Sequence, residues 1–306
     1  MIEQTLVFGP QAHLVGTACL PERGKARHEK TMVLLTNAGV IPRIGPHRVN
    51  VRLARRLADL GLASFRFDLS GLGDSRRSSS RLSTGEQFIA DTISAMDAAR
   101  SEFGCAEFVM VGFCSGGDVA YNVALEDARL RGIVLWDSYV YPTGKAKLKG
   151  LFHRLRRHSL SSLASKLAQR VVALGRQQAN LEDGQATEGP SIFGRSQMPA
   201  RDVFGQSIRS LVDRGVEVMF LYSGGEPEWY NYEAQFREMF APYGFVDRVE
   251  YDYLIRNDHT FIQPRSQDAL IDRVEHWLER RALPSLRRES IVTPQAAAPL
   301  RVSKVA

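Results

Sequence analysis

The chain has 306 residues, 44% of them hydrophobic and 24% charged, and a formal net charge of +6. That length and balance suit a soluble globular protein with one large core, or one core interrupted by an insertion. No run approaches the roughly 18 apolar residues needed to cross a bilayer, which excludes stable membrane insertion, and the positive charge comes with no nucleic-acid-binding motif, which argues against nucleic acid as a partner.

The opening "MIEQTLVFGPQAHLVGTACL" has an early acid and no basic flank before an apolar core, so it does not read as a secretory signal. "TMVLLTNAG" (31–39) reads as a buried strand ending in a turn. Pro46 then opens a helix with apolar positions at 49, 53, 57 and 60 that stops at Gly61. "ASFRFDL" (63–69) is the next strand, and Ser83 with Glu86 has the spacing of a capping box for a long helix. "EFVMVG" (107–112) and "GIVLWD" (132–137) are short apolar strands with a helix over 115–127 between them.

The alternation lapses between about 140 and 205, where the segments are amphipathic and no strand is predicted. It resumes with a strand in "VEVMFLYSGG" (216–225), a helix near 230–241, the strand "RVEYDYLI" (248–255) and the helix "DALIDRVEHWLERR". Short strands alternating with helices predict an α/β fold with a mostly parallel central sheet and helices on both faces. Four segments follow: a core part over 1–139, a helical lid insertion over 140–205, a second core part over 206–281, and a disordered tail over 282–306.

The centre of "EFVMVGFCSGGDVAYNV" (107–123) carries the chemistry. A strand ends at Gly112, turns through small residues and leaves as a helix, the outline of a nucleophile elbow with Cys114 where serine is usual. The helix that follows aims its backbone N–H groups and positive end at the sulfur, which favours thiolate. The N–H of Ser115 is then half of an oxyanion hole. Choosing Ser115 as nucleophile instead would put Phe113 where a small residue is needed. Most free cysteines are inert buried hydrophobes, but few of them sit in an elbow. Cys114 shares the chain with only Cys19 and Cys105. That odd number, without metal-like spacing, points together with the lack of a secretory signal and of an apolar span to the reducing cytoplasm, and no metal or other cofactor is expected.

A general base should follow a late strand. Of seven histidines, His259 in "IRNDHTF" sits on a loop at the C-terminal edge of the strands, where catalytic groups gather. The acid that orients it is expected at Glu226, which keeps the chain order nucleophile, acid, histidine. Glu228 and Asp137 are the alternatives. The second oxyanion donor is expected at Gly39 or Val40, and His47 and Arg43 are candidates for contact with the substrate.

With these pieces placed, the chain resembles the α/β-hydrolase superfamily over residues 5–281. "FRFDLSGLGDS" is similar to the segment after the fourth strand of many members, and "NDHTF" to the histidine loop of the serine-aminopeptidase-like (S33) subgroup. "RIGPHR" with "GFCSGG" is similar to hydrolases associated with exosortase and biosynthetic gene clusters. The cysteine box resembles those of polyhydroxyalkanoate synthases and dienelactone hydrolases. The resemblance implies triad roles for Cys114, His259 and an acid at Glu226.

A cysteine nucleophile would form a thioester. If the substrate is itself a thioester, on coenzyme A or an acyl-carrier protein, that step is nearly thermoneutral and the acyl group stays activated. The expectation is therefore a thioesterase or acyltransferase acting on a small acyl substrate. A carboxylester or lactone hydrolase, and a catalytically silent binding protein, are the alternatives. Between Ser138 and Arg170 lie eight basic residues and no acid, which reads either as a solvated surface or as a face for an anionic partner.

Overall fold

A computed structural model describes residues 1–36, 39–157 and 198–284, with side chains of 154–157 excepted. Most of the lid expected over 140–205 and nearly all of the tail expected over 282–306 lie outside the described residues.

Eight strands form one sheet: β1 (Ile2–Phe8), β2 (Leu14–Leu20), β3 (Thr31–Leu35), β4 (Ala63–Asp68), β5 (Glu107–Phe113), β6 (Leu130–Trp136), β7 (Glu217–Ser223) and β8 (Glu250–Leu254). Their order is β1-β2-β4-β3-β5-β6-β7-β8. From β4 to β8 every pairing is parallel, whereas β1 and β2 form a hairpin whose second strand runs antiparallel to β4. β3 and most of β5 and β6 are buried, as their unbroken apolar runs require when helices cover both faces.

The hairpin is an addition to the expected fold. β1 is a largely exposed edge strand, and β2 is interrupted in sequence by Gly16 and Thr17. Gly16 is there because a Cβ would fall within 3.0 Å of the Phe65 ring.

Among the described residues the helices are α1 (Val49–Asp59), α2 (Thr84–Phe103), α3 (Ser115–Glu126), α4 (Gly144–Arg157), α5 (Arg201–Asp213), α6 (Gln235–Phe240) and α7 (Pro264–Trp277). α1 follows a 3-10 turn at Pro46–Arg48, and its C-terminal turn ends at Gly61 with φ +83. α2 begins with the capping box: Ser83 Oγ accepts from the Glu86 amide, and the Glu86 carboxylate accepts from the Ser83 amide at 2.9 Å. α5 runs across the boundary expected at 205/206, so that boundary falls inside a helix.

One core lies between the sheet and α2, α3, α5 and α6, and holds Phe88, Val119, Phe204 and Phe236. The other lies under α1 and α7, with Leu53, Leu57, Leu270 and Val274. The order in which strands are added reverses about β3: the chain passes from β3 to β4 on one side, then to β5 on the other. The crevice at the C-terminal ends of β3 and β5 is thus a topological switch point, the usual place for a ligand in an open α/β sheet.

Candidate active site

Cys114 stands at that crevice, between the end of β5 and the start of α3, with φ 52 and ψ −118. A non-glycine residue at such dihedrals is strained and must be held by its surroundings. The hold is visible in the hydrogen bonds. The Cys114 amide donates to the Trp136 carbonyl at 2.8 Å, and its carbonyl accepts from Ser138 Oγ at 2.7 Å and from the Gly117 amide at 3.0 Å. A Cβ on Gly112 would come within 3.0 Å of the Gly116 carbonyl, and one on Gly117 within 3.0 Å of Ser138 Oγ. The small residues of the elbow are therefore packed, at Gly112 against α3 and at Gly117 against the loop after β6.

His259 lies beyond β8, with its ring centroid 4.8 Å from that of Phe113. Its loop is shaped by Asp258, whose carboxylate accepts from the amide and hydroxyl of Thr260, each at 3.0 Å, and from the Ile262 amide. Gly224 and Gly225 admit the loop, since a Cβ on either would come within 3.0 Å of the backbone of Ile255 or His259.

His259 Nδ1 lies 2.8 Å from Asp137 Oδ2. Asp137 is fixed in turn: its carboxylate accepts from the Ser223 amide and from Ser223 Oγ, both at 2.7 Å. On the imidazole, burial disfavours the charged form. The hydrogen bonds to Asp137 and the Cys114 side chain, with the negative charge on both, outweigh it, and the His259 pKa is pushed up to about 10 from an ordinary 6.5. Sulfur, imidazole and carboxylate thus form one hydrogen-bonded chain across the ends of β5, β8 and β6.

Residues 46–189 match the family described as serine aminopeptidase, S33. No curated protein matches the chain by sequence. Among solved structures, an esterase from Pyrococcus furiosus superimposes with a TM-score of 0.57 at 14% identity, covering 92% of this chain and 91% of its own. An α/β serine hydrolase without lid from Xanthomonas campestris gives 0.52 at 15%, covering 96% of each chain. The proline iminopeptidase of Mycobacterium smegmatis gives 0.54 at 14%, covering 93% and 100%. The chain has the α/β-hydrolase fold.

The carboxylate that meets His259 is not the one placed first on the sequence. The carboxylate on His259 is that of Asp137, the third of the three candidates, and not that of Glu226. β5 and β6 pair in register with Phe113 opposite Trp136, so Asp137 emerges level with Cys114. Glu226 is three residues past the end of β7 and lines the cavity wall. The backbone of Glu228 lies against Gly150 of α4. Chain order favoured Glu226, but Asp137 satisfies the same order. Ser223, which fixes the Asp137 carboxylate, is not singled out by the sequence, and its only signal is a serine closing the β7 run before two glycines.

The other expected contacts divide. Ser115 begins α3 and lines the cavity beside Gly39, but the Gly39 amide already donates to Ser115 Oγ at 2.7 Å. Val40 is exposed and is not among the described residues lining the cavity. Nor is His47, which is exposed on the 3-10 turn with φ 47. Arg43 is not among the described residues lining the cavity: its guanidinium pairs with buried Asp68 and, at 2.7 Å, with Asp74, while its amide donates to Asp68 at 2.6 Å. That network explains "FRFDLSGLGDS", because Gly73 must lack a Cβ to pack on the Asp68 carboxylate.

The cavity over Cys114 holds about 440 Å³ and is walled by Tyr139, Val140, Tyr141, Met198, Pro199 and Trp229. Asp118, one helical turn after Cys114, lines it and also a neighbouring cavity of about 680 Å³ between α2, α3 and α5. Burial pushes the Asp118 pKa up to about 7, against the pull of a hydrogen bond with Tyr139.

Proposed function

We propose that this protein is an acyl-group hydrolase or acyltransferase that forms a covalent thioester on Cys114, with a thioester or activated ester as donor. The observation that carries the reading is the chain Cys114–His259–Asp137 at an elbow whose nucleophile is held at φ 52. The sulfur attacks as thiolate, which is the nucleophilic form of cysteine. It bonds to the acyl carbon, the carbonyl π pair moves to oxygen, and the oxyanion lies toward the first turn of α3. Collapse breaks the bond to the leaving group, which takes the proton of the His259 imidazolium. In the second half, His259 Nε2 accepts a proton from water, a hydroxyl or an amine as that acceptor attacks the thioester, and the Cys114 thiolate departs. Asp137 orients the imidazole and stabilises its charged form.

A thiol donor leaves as readily as Cys114 itself, so thioesters on coenzyme A or an acidic carrier protein suit the site better than amides. The mainly apolar walls at Val140, Tyr141, Met198 and Trp229 suit an acyl chain. Hydrolysis of a carboxylester or lactone is the second reading, favoured by the likeness of fold to the Pyrococcus furiosus esterase.

Intact-protein mass spectrometry against a panel of acyl thioesters tests the proposal. The expected result is a mass increase of one acyl group, mapped to Cys114 and lost in Cys114→Ala. Turnover that persists without Cys114 would overturn it. The other two thiols make the mapping clean. Cys19 is fully buried and Cys105 2% exposed, and burial pushes the Cys105 pKa up to about 11.

A further inference from the structure

α4 is amphipathic, yet it lies on the protein by the wrong face. Residues 146 and 150 share one side of a helix, and 148, 151 and 152 share the opposite side. The side turned inward carries Ala146, which is fully buried, and Gly150, where a Cβ would come within 3.0 Å of the Glu228 carbonyl. The side turned outward carries Leu148, Leu151 and Phe152, which are 55%, 48% and 59% exposed. Three large apolar side chains on one helical face would ordinarily be packed inward.

The helix is firmly placed in this orientation. Thr143 Oγ1 accepts from the Ala146 amide at 3.1 Å and pairs with the Tyr232 hydroxyl at 2.6 Å, and Asn231 Nδ2 donates to the Ala146 carbonyl at 2.9 Å. The ammonium groups of Lys145 and Lys149 sit over the Tyr232 ring at 4.5 and 4.9 Å. Around the helix, Lys149 flanks the apolar face on one side, together with Lys145, whose ammonium also pairs with Glu238 at 3.4 Å, and Lys147 flanks it on the other. The sequence continues with Arg154, Arg156 and Arg157. No acid occurs between Ser138 and Arg170. The loop beneath α4 includes Glu226 and Trp229, which line the catalytic cavity, and Trp229 is itself 37% exposed.

We propose that α4 is a docking helix that seats the protein on an anionic lipid surface, with the mouth of the Cys114 cavity beside the contact. An apolar face bordered by cations on both sides is the pattern of a helix lying in a membrane interface, with the apolar side chains among the acyl chains and the cations against the headgroups. The charge selects an anionic surface, and the three exposed apolar side chains select lipid over an acidic protein held by charge, which would need the lysines but not Leu148, Leu151 or Phe152. This inference goes beyond the proposed chemistry and does not depend on it, because docking is read without turnover.

The test is co-sedimentation of the full chain with vesicles of equimolar phosphatidylcholine and phosphatidylserine, and with phosphatidylcholine alone. The wild type is expected to sediment with the mixed vesicles and at least about tenfold less with neutral ones. Raising salt from 0.1 to 1 M, which shortens the Debye length from about 10 to about 3 Å, should weaken the binding. The Leu148→Ser, Leu151→Ser, Phe152→Ser triple variant is expected to lose about tenfold or more of the binding and to keep the wild-type melting temperature, since all three side chains are exposed. A Lys145→Gln, Lys147→Gln, Lys149→Gln variant should lose binding to the mixed vesicles specifically. Failure of the wild type to sediment would overturn the proposal, and so would equal binding to neutral vesicles or an unchanged serine variant. If size-exclusion chromatography instead shows a wild-type dimer that the serine triple dissociates, with no vesicle binding, the face is a contact between copies and the lipid proposal falls.

Discussion

At residue scale the site turns on which group answers for the proton on His259. The imidazole keeps its proton because Asp137 and the sulfur outweigh burial, so the charged form is favoured in the folded state up to about pH 10. The stabilisation this gives is complete below about pH 6.5 and is lost as pH rises through about 10. Asp137→Asn removes the charge and the correct hydrogen-bond partner at Nδ1. It should lower kcat for acyl transfer by about 10²-fold or more and bring the alkaline limb of the rate profile down from near pH 10 toward 6.5. Glu226→Gln should leave that limb in place, and a shifted limb there would return the acid to Glu226. The oxyanion site carries a second residue-scale consequence. The Gly39 amide donates to Ser115 Oγ, so the Ser115 hydroxyl proton is left to point elsewhere, and Ser115 lines the cavity. If that hydroxyl donates to the oxyanion, Ser115→Ala should cost kcat on the order of 10²-fold with KM little changed. A faster Ser115→Ala enzyme would mean that the hydroxyl only occupies the Gly39 amide.

At the scale of elements, the elbow is held by a contact between α3 and the loop after β6. Ser138 Oγ donates to the Cys114 carbonyl and also fills the space beside Gly117. Gly117→Ala should therefore destabilise the fold by about 1–3 kcal/mol, the usual range for overpacking a tight site, read as a fall in denaturation midpoint. Adding Ser138→Gly removes the colliding atoms and should restore part of that loss, though not the hydrogen bond to the elbow. Additive losses in the double variant would place the strain elsewhere. The elbow, the parallel strands and His259 were legible because each rests on local pattern: an apolar run, a Gly-x-Cys-x-Gly turn, a histidine after the last strand. The choice of Asp137 was not legible, since it depends on β5 and β6 pairing in register and on Ser223 arriving from β7. The pairing of Arg43 was illegible for a similar reason. Its partners Asp68 and Asp74 come from the far side of α1, and no spacing in the sequence announces them.

For the whole molecule, Asp118 sets a pH dependence that can be isolated by difference. Its carboxyl stands in the wall between the two cavities, and burial pushes its pKa up to about 7, although the hydrogen bond with Tyr139 favours the charged form. In the unfolded chain the group titrates near 3.8. Between those values the folded state binds more protons than the unfolded one, so this group's contribution to stability falls as pH rises. It is fully present below about 3.8 and lost as pH passes through about 7. Asp118→Asn removes the ionisation and keeps an oxygen that can accept from Tyr139. The melting temperature of the variant relative to wild type should therefore climb from pH 4 to pH 7 and level off above about pH 8. Other carboxylates, such as Glu3 and Asp213 with their arginine partners, slope the opposite way, but they are common to both proteins and cancel in the difference. The contribution of His259 is constant below about pH 6.5 and begins to fall only above it, and it too is common to both. A difference that stays flat across this range would mean that Asp118 is already ionised at pH 4 in the folded state. The wall between the cavities would then carry a fixed negative charge, and an apolar chain extending from Cys114 would meet it at every pH.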